Sequence, residues 1–146
     1  MTRDPACIFC RIIAGEIPAA VVHEDEHIIA FLDKDPLFPG HCLVCPREHH
    51  VLLTELPDAL LTPVLGTARL VARALEPALD AEGSFVALNN RVSQSVMHLH
   101  MHVVPRRRGD GLKGFFWPRR PYRDQEHIAQ TQSKIAAAIK SLLSNA

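Results

Sequence analysis

Residues 94–106 read Gln-Ser-Val-Met-His-Leu-His-Met-His-Val-Val-Pro-Arg. His98, His100 and His102 alternate with Leu99, Met101 and Val103. Side chains two apart share one face of a β-strand. The spacing therefore predicts a strand over 96–104 that carries three imidazoles in a row, with apolar residues behind them. A helix does not bring i and i+2 together, and Val103-Val104 adds strand preference. Imidazole changes charge near neutral pH and serves as base, nucleophile or metal ligand. The middle ring, His100, is expected at an exposed strand position that carries little packing.

Working outward, Pro5 and the spacing of Ile8, Phe9, Ile12 and Ile13 predict a short helix within 5–17, stopped near Gly15 and Pro18. Two strands are expected at 21–24 and 28–32, joined at Asp25-Glu26. The Pro- and Gly-rich stretch 33–40 reads as a loop, and 41–45 as a third strand ended by Pro46. Thr54 with Pro57-Asp58 opens a long helix with an apolar stripe from Leu60 to Leu75, and Pro63 allows its start to be two pieces. Residues 84–88 form another strand, 89–91 a turn, and 109–114 a glycine-rich charged loop. The last element is an amphipathic helix over 125–143 with Ile128, Ile135, Ile139 and Leu142 on one face. This order predicts an α+β fold with a mostly antiparallel five-stranded sheet and flanking helices. The last helix either covers its own sheet or reaches a partner subunit.

The 146 residues fit one domain, 1–146, and can bury a core without disulfides. Sixteen basic residues balance sixteen acidic ones, which argues against a surface for nucleic-acid polymers. The clusters Arg106-Arg107-Arg108 and Arg119-Arg120 read as solvated loops. No secretory pattern or bilayer-length apolar run is visible, so a cytoplasmic protein without membrane contact is expected. In that setting, cysteines serve as thiols or metal ligands. Cys42 and Cys45 read as buried hydrophobes. Cys7-x-x-Cys10 has the spacing of two thiolates sharing one tetrahedral zinc ion, or of two buried thiols at a helix start.

Taken together, Cys7–Pro18, Ala30–Asp33, Pro39–Pro46 and Gln94–Arg106 closely resemble the histidine triad family of nucleotide hydrolases and transferases, and in particular its zinc-bearing bacterial-type branch. The resemblance spans roughly residues 7–106 and leaves 106–146 as a branch-specific extension that includes Gly114-Phe-Phe-Trp-Pro-Arg119. It implies a homodimer with one continuous sheet and chemistry at the α-phosphate of a purine nucleotide or nucleotide conjugate. His100 would be the nucleophile, held by the backbone carbonyl of His98. Ser95 and His102 would lie at the phosphate, Ser95 near the leaving group, with Asn89 and Gln94 as further donors. Asp33 would take the ribose hydroxyls, and Phe9, Ile12, Ile17, Leu32 and Leu43 would line the base pocket. One structural zinc ion per chain would be held by Cys7, Cys10, His49 and His98, with His50 the neighbouring rival to His49.

Two departures stand out. Lys34 follows Asp33 where an aliphatic residue is common, and the turn between Asn89 and Gln94 is short and lacks glycine. His23, His27 and His127 are expected at the surface, and His41 in a structural role. Two competing functions remain open: a metal-dependent hydrolase using the three triad histidines as ligands, and a non-catalytic nucleotide-binding scaffold.

Overall fold

The computed structural model describes residues 2–112 and 119–145, so most of the expected Gly114-to-Arg119 motif lies outside the described residues. The chain divides into two compact units, Met1–Asp110 and Gly111–Ala146. The first contains a short helix, α1 (Ile8–Ile13), three strands, β1 (Val21–Glu24), β2 (Ile28–Leu32) and β3 (Cys42–Pro46), a long helix, α2 (Asp58–Leu79), and two more strands, β4 (Gly83–Ala87) and β5 (Met101–Arg106). The sheet order is β1-β2-β3-β5-β4, and every pairing is antiparallel. This is the expected α+β sheet with flanking helices.

Local chemistry explains the connections. Asp25 Oδ1 accepts the amides of His27 and Ile28, each at 2.8 Å, which closes the tight β1–β2 turn. The break before α2 falls at Leu56-Pro57, after a single turn at Leu53–Glu55, and Pro63 is accommodated inside the helix. The apolar stripe of α2 (Leu60, Val64, Ala68, Val71 and Leu75) packs on Ile28, Ala30, Cys42, Val44, Leu99 and Val103. On the opposite sheet face, Cys7, Phe9, Cys10 and Ile13 of the α1 region pack on Ile29, Phe31, Leu43 and Cys45. Cys42 and Cys45 are buried, as expected.

The fifth strand is shifted relative to the expected 96–104. Residues 95–98 are bends, and regular pairing begins only at Met101. The approach is held from outside the sheet, where the Leu99 amide donates to the His50 carbonyl at 2.6 Å. At the other end, β3 pairs β5 only as far as Val103, so Pro105 meets β4 alone and tolerates its missing N–H. The face alternation survives the shift: Leu99 and Val103 face α2, while His98 and His100 meet Phe9 from the α1 side. Arg106, Arg107 and Arg108 pair with Asp110, Asp80 and Glu82 respectively.

The second unit contains α3 (Gln125–Ser144), capped by Asp124, whose Oδ1 accepts the His127 amide at 2.7 Å. None of its residues is buried; Ile135, Ile139 and Leu142 are exposed. Among the described residues no helix is long and apolar enough to cross a membrane.

Candidate active site and metal centre

Two histidine-containing clusters flank His100. The first joins Cys7 at the start of α1, Cys10 one turn on, His49 and His98; their donor atoms all lie within 4.8 Å of one another. Cys7 Sγ is 3.5 Å and Cys10 Sγ 3.6 Å from His98 Nδ1, and Cys10 Sγ is 3.3 Å from His49 Nδ1. For a tetrahedral zinc ion with Zn–S near 2.3 Å and Zn–N near 2.05 Å, sulfur and nitrogen stand about 3.6 Å apart. The side chains are thus already at coordination spacing. The tautomer fits as well. His98 Nε2–H donates to the Pro46 carbonyl at 2.8 Å, which leaves Nδ1 with its lone pair toward the thiols. Burial pushes the Cys10 thiol up, a penalty that a divalent cation would remove. Burial also lowers His98 to about 4 and keeps the ring neutral, the form a metal requires. His50 is not part of this set. Its Nε2 lies 3.4 Å from Glu48 Oε2 and makes no hydrogen bond among the described residues.

His98 also reaches the second region through its backbone. Its carbonyl accepts from His100 Nδ1 at 2.7 Å. A carbonyl only accepts, so His100 carries a proton on Nδ1, and in the neutral ring the lone pair lies on Nε2. The ring is not exposed as expected: it is 4% accessible and packed edge-on against Phe9 with centroids 5.2 Å apart. The burial comes from α1, whose docking the histidine alternation could not report.

Next to it stands His102, whose ring centroid is 5.0 Å from that of His100. The sequence reading missed its partner, His41. The Leu37 amide donates to His41 Nδ1 at 3.1 Å, so neutral His41 has its proton on Nε2. That N–H points at His102 Nδ1, 2.9 Å away, and leaves His102 with its own proton on Nε2. Burial lowers His41, and burial followed by the neighbouring His100 and His41 lowers His102 to about 4. The register explains the meeting: His41 lies two residues before Leu43, which faces His102 across the β3–β5 ladder, a pairing between segments far apart in sequence. Asp33 Oδ2 sits 3.8 Å from His41 Nε2, while its Oδ1 caps the loop by accepting the Asp35 amide at 2.9 Å.

A cavity of about 850 Å³ opens between these groups and α1. Its lining includes Phe9, Ile12, Ile17, Leu32 and Leu43 as an apolar wall, with Asp33, Ser95, His100 and His102 as polar groups. Lys34 stands at this cavity too and pairs with Asp35 at 3.6 Å. Asn89 and Gln94, expected at the phosphate, do not line it. Gln94 Oε1 accepts the Arg91 amide and its Nε2 donates to the Val51 carbonyl, both at 2.8 Å. Asn89 Nδ2 donates to the Ser93 carbonyl at 3.2 Å. These bonds hold a turn in which Arg91 and Ser93 take left-handed φ values of 65° and 62° without glycine. Such a backbone needs side-chain support, and both amides supply it.

A five-stranded antiparallel sheet with a histidine-lined cavity on its α1 face matches a known class. The chain belongs to the HIT domain family, which matches residues 14–109. It is 43% identical over 114 residues to the protein hit of Bacillus subtilis, covering 76% of this chain and 78% of that one. Identity to the adenosine 5'-monophosphoramidase HNT1 of Saccharomyces cerevisiae is 38% over 119 residues, covering 80% and 73%. The crystal structure of a Zn-bound histidine triad family protein from Mycobacterium smegmatis superposes with a TM-score of 0.71 at 36% identity, covering 88% of this chain and 97% of that one.

Proposed function

We propose that this protein hydrolyses nucleotide phosphoramidates or dinucleoside polyphosphates and releases a nucleoside monophosphate through a nucleotidyl-His100 intermediate. One observation carries the reading: His100 Nδ1–H is tied to the His98 carbonyl, so in the neutral ring the lone pair lies on the opposite nitrogen, Nε2, of a histidine that lines the cavity. In the first step His100 Nε2 bonds to the α-phosphorus, and the bond from phosphorus to the leaving group breaks. Ser95 passes a solvent proton to the departing atom. His102 Nε2–H donates to a phosphoryl oxygen as charge builds there. In the second step water attacks the phosphorus, its proton returns to solvent, and His100 leaves as neutral imidazole. Asp33 accepts the ribose hydroxyls, and the apolar wall takes a purine base.

Cys7, Cys10, His49 and His98 would hold one zinc ion per chain. Four protein donors fill a tetrahedral shell, so the ion supplies cross-linking and no open reaction position. A cytoplasmic homodimer with a continuous sheet completes the reading. Among the described residues the sheet ends in two edge strands, β1 and β4, either of which would offer backbone groups to a second copy.

The test is a search for a covalent adduct. Wild-type protein quenched during turnover of an adenosine phosphoramidate should carry a nucleotidyl mass on the peptide containing His100. His100→Asn should lose the adduct and about a thousand-fold or more in kcat, with its circular dichroism retained. Near-native kcat in that folded variant would refute the mechanism.

A further inference from the structure

A second cavity, of about 280 Å³, adjoins the first and shares Ile8, Ser95 and Val96 with it. Its remaining wall is made by Asp4, Ala6, Cys7 and Met97. We infer that this cavity receives the leaving group and selects amines whose tail carries a positive charge. The inference rests on the phosphoramidate branch of the function proposed above.

Ser95 stands on both cavities, and a group leaving phosphorus opposite His100 passes it. Beyond Ser95 the wall is apolar at Ile8, Val96 and Met97, includes the candidate metal ligand Cys7, and among the described residues has its one carboxylate at Asp4, which is half-buried. Asp4 Oδ1 accepts the Ala6 amide at 2.9 Å, which fixes the carboxylate while its second oxygen remains for a ligand. Among the described residues no Lys or Arg lines this cavity. In the nucleotide cavity the lining cation is Lys34, which lies at Asp33 and pairs with Asp35.

A polyphosphate leaving group carries several negative charges. In this direction it meets a carboxylate and, among the described residues, no Lys or Arg to offset it. An aminoalkyl tail meets the reverse: apolar walls for its methylenes and a carboxylate for its ammonium. The chemistry at phosphorus is unchanged. The P–N bond breaks, the departing nitrogen gains its proton by way of Ser95, and the remote ammonium sits at Asp4 without taking part.

The test compares kcat/KM for three adenosine 5'-phosphoramidates of equal tail length, ending in ammonium, methyl and carboxylate, alongside the unsubstituted phosphoramidate and a diadenosine polyphosphate. The wild type should prefer the ammonium tail over the methyl tail by about fivefold, the scale of a partly exposed ion pair, and both over the carboxylate. High salt should compress the series. Asp4→Asn keeps an acceptor for the Ala6 amide and should level the ammonium-to-methyl ratio. Ala6→Lys, which adds a cation to the same wall, should invert the order in favour of carboxylate. The ratios are internal to each variant, so a general loss of activity does not obscure them. A flat series in the wild type, or an unchanged ammonium preference in both variants, overturns the inference. Failure to turn over even the unsubstituted phosphoramidate would count against the parent reading instead.

Discussion

The cluster of Cys7, Cys10, His49 and His98 and the cluster of Asp33, His41 and His102 both gather metal-ligating atoms within 4.8 Å. They differ in what those atoms can offer. In the first, the Pro46 carbonyl takes the His98 proton on Nε2 and frees Nδ1 toward two thiols. In the second, the Leu37 amide occupies the His41 lone pair on Nδ1, so the nitrogen nearest His102 and Asp33 bears hydrogen. A metal there would have to displace a proton that the backbone has fixed. Proximity of donors therefore fits a metal ion in one place and a hydrogen-bond relay in the other, and backbone groups make the difference. The same contrast weakens the metal-dependent hydrolase reading. The His98 ring faces the thiols, and His100 uses Nδ1 as a donor, so the three rings do not converge on one ion.

The comparison can be broken most forcefully at the thiols. Cys10→Ser should reduce zinc from about one per chain to well below one and lower Tm by more than about 10 °C, since structural zinc contributes several kcal/mol to folding. Elemental analysis and a thermal melt decide it; metal-free wild type of unchanged Tm would dissolve the first half of the contrast. Next in size is Asp33→Asn. Losing a charged acceptor for two hydroxyls removes roughly 1.5–3 kcal/mol, so nucleotide affinity should fall by about ten- to a hundred-fold. A 2',3'-dideoxy ligand should show almost no loss. Equal losses for both ligands would return Asp33 to capping its loop.

His41→Phe comes third. It keeps the bulk but releases the His102 tautomer, so kcat should fall by about tenfold while zinc content stays at the wild-type level. Zinc lost on this substitution would mean that the second cluster binds metal after all. The smallest effect is on stability against pH. The fold holds His102 near 4 against an ordinary 6.5, favouring the neutral ring. Its contribution is therefore complete above 6.5 and is lost as pH falls from there through about 4. The Tm difference between wild type and His102→Gln should narrow over that window; a constant difference from pH 7 to 4 would deny the shift.

The alternation at 98–103 made the two faces of the sheet legible, because period two is a property of extended backbone whether or not it is paired. The limits of β5 were not legible, since pairing depends on β3 and β4, which lie far away in sequence. Cys7-x-x-Cys10 was readable as a pair of thiols, but the orientation of His98 depends on a carbonyl 52 residues earlier. Asn89 and Gln94 show the converse. Their amides suit a phosphate chemically, yet a glycine-free turn with two left-handed residues needs them for itself. His41 was passed over because its significance lies in an amide four residues before it and a ring 61 residues after it.

The reach of the first cluster along the chain has a consequence for how the protein is made. Cys7 and His98 are 91 residues apart, and Cys10 and His49 are 39 apart. An ion joining them closes most of the first unit into a loop. For loops near a hundred residues, chain-entropy reasoning assigns a covalent cross-link about 4.7 kcal/mol, acting on the unfolded ensemble. The carbonyl that aims His100 belongs to the residue at the end of that loop. On the function proposed above, the ring that would attack phosphorus lies two residues beyond the last candidate ligand, so closing this loop would anchor the backbone stretch from which His100 is aimed.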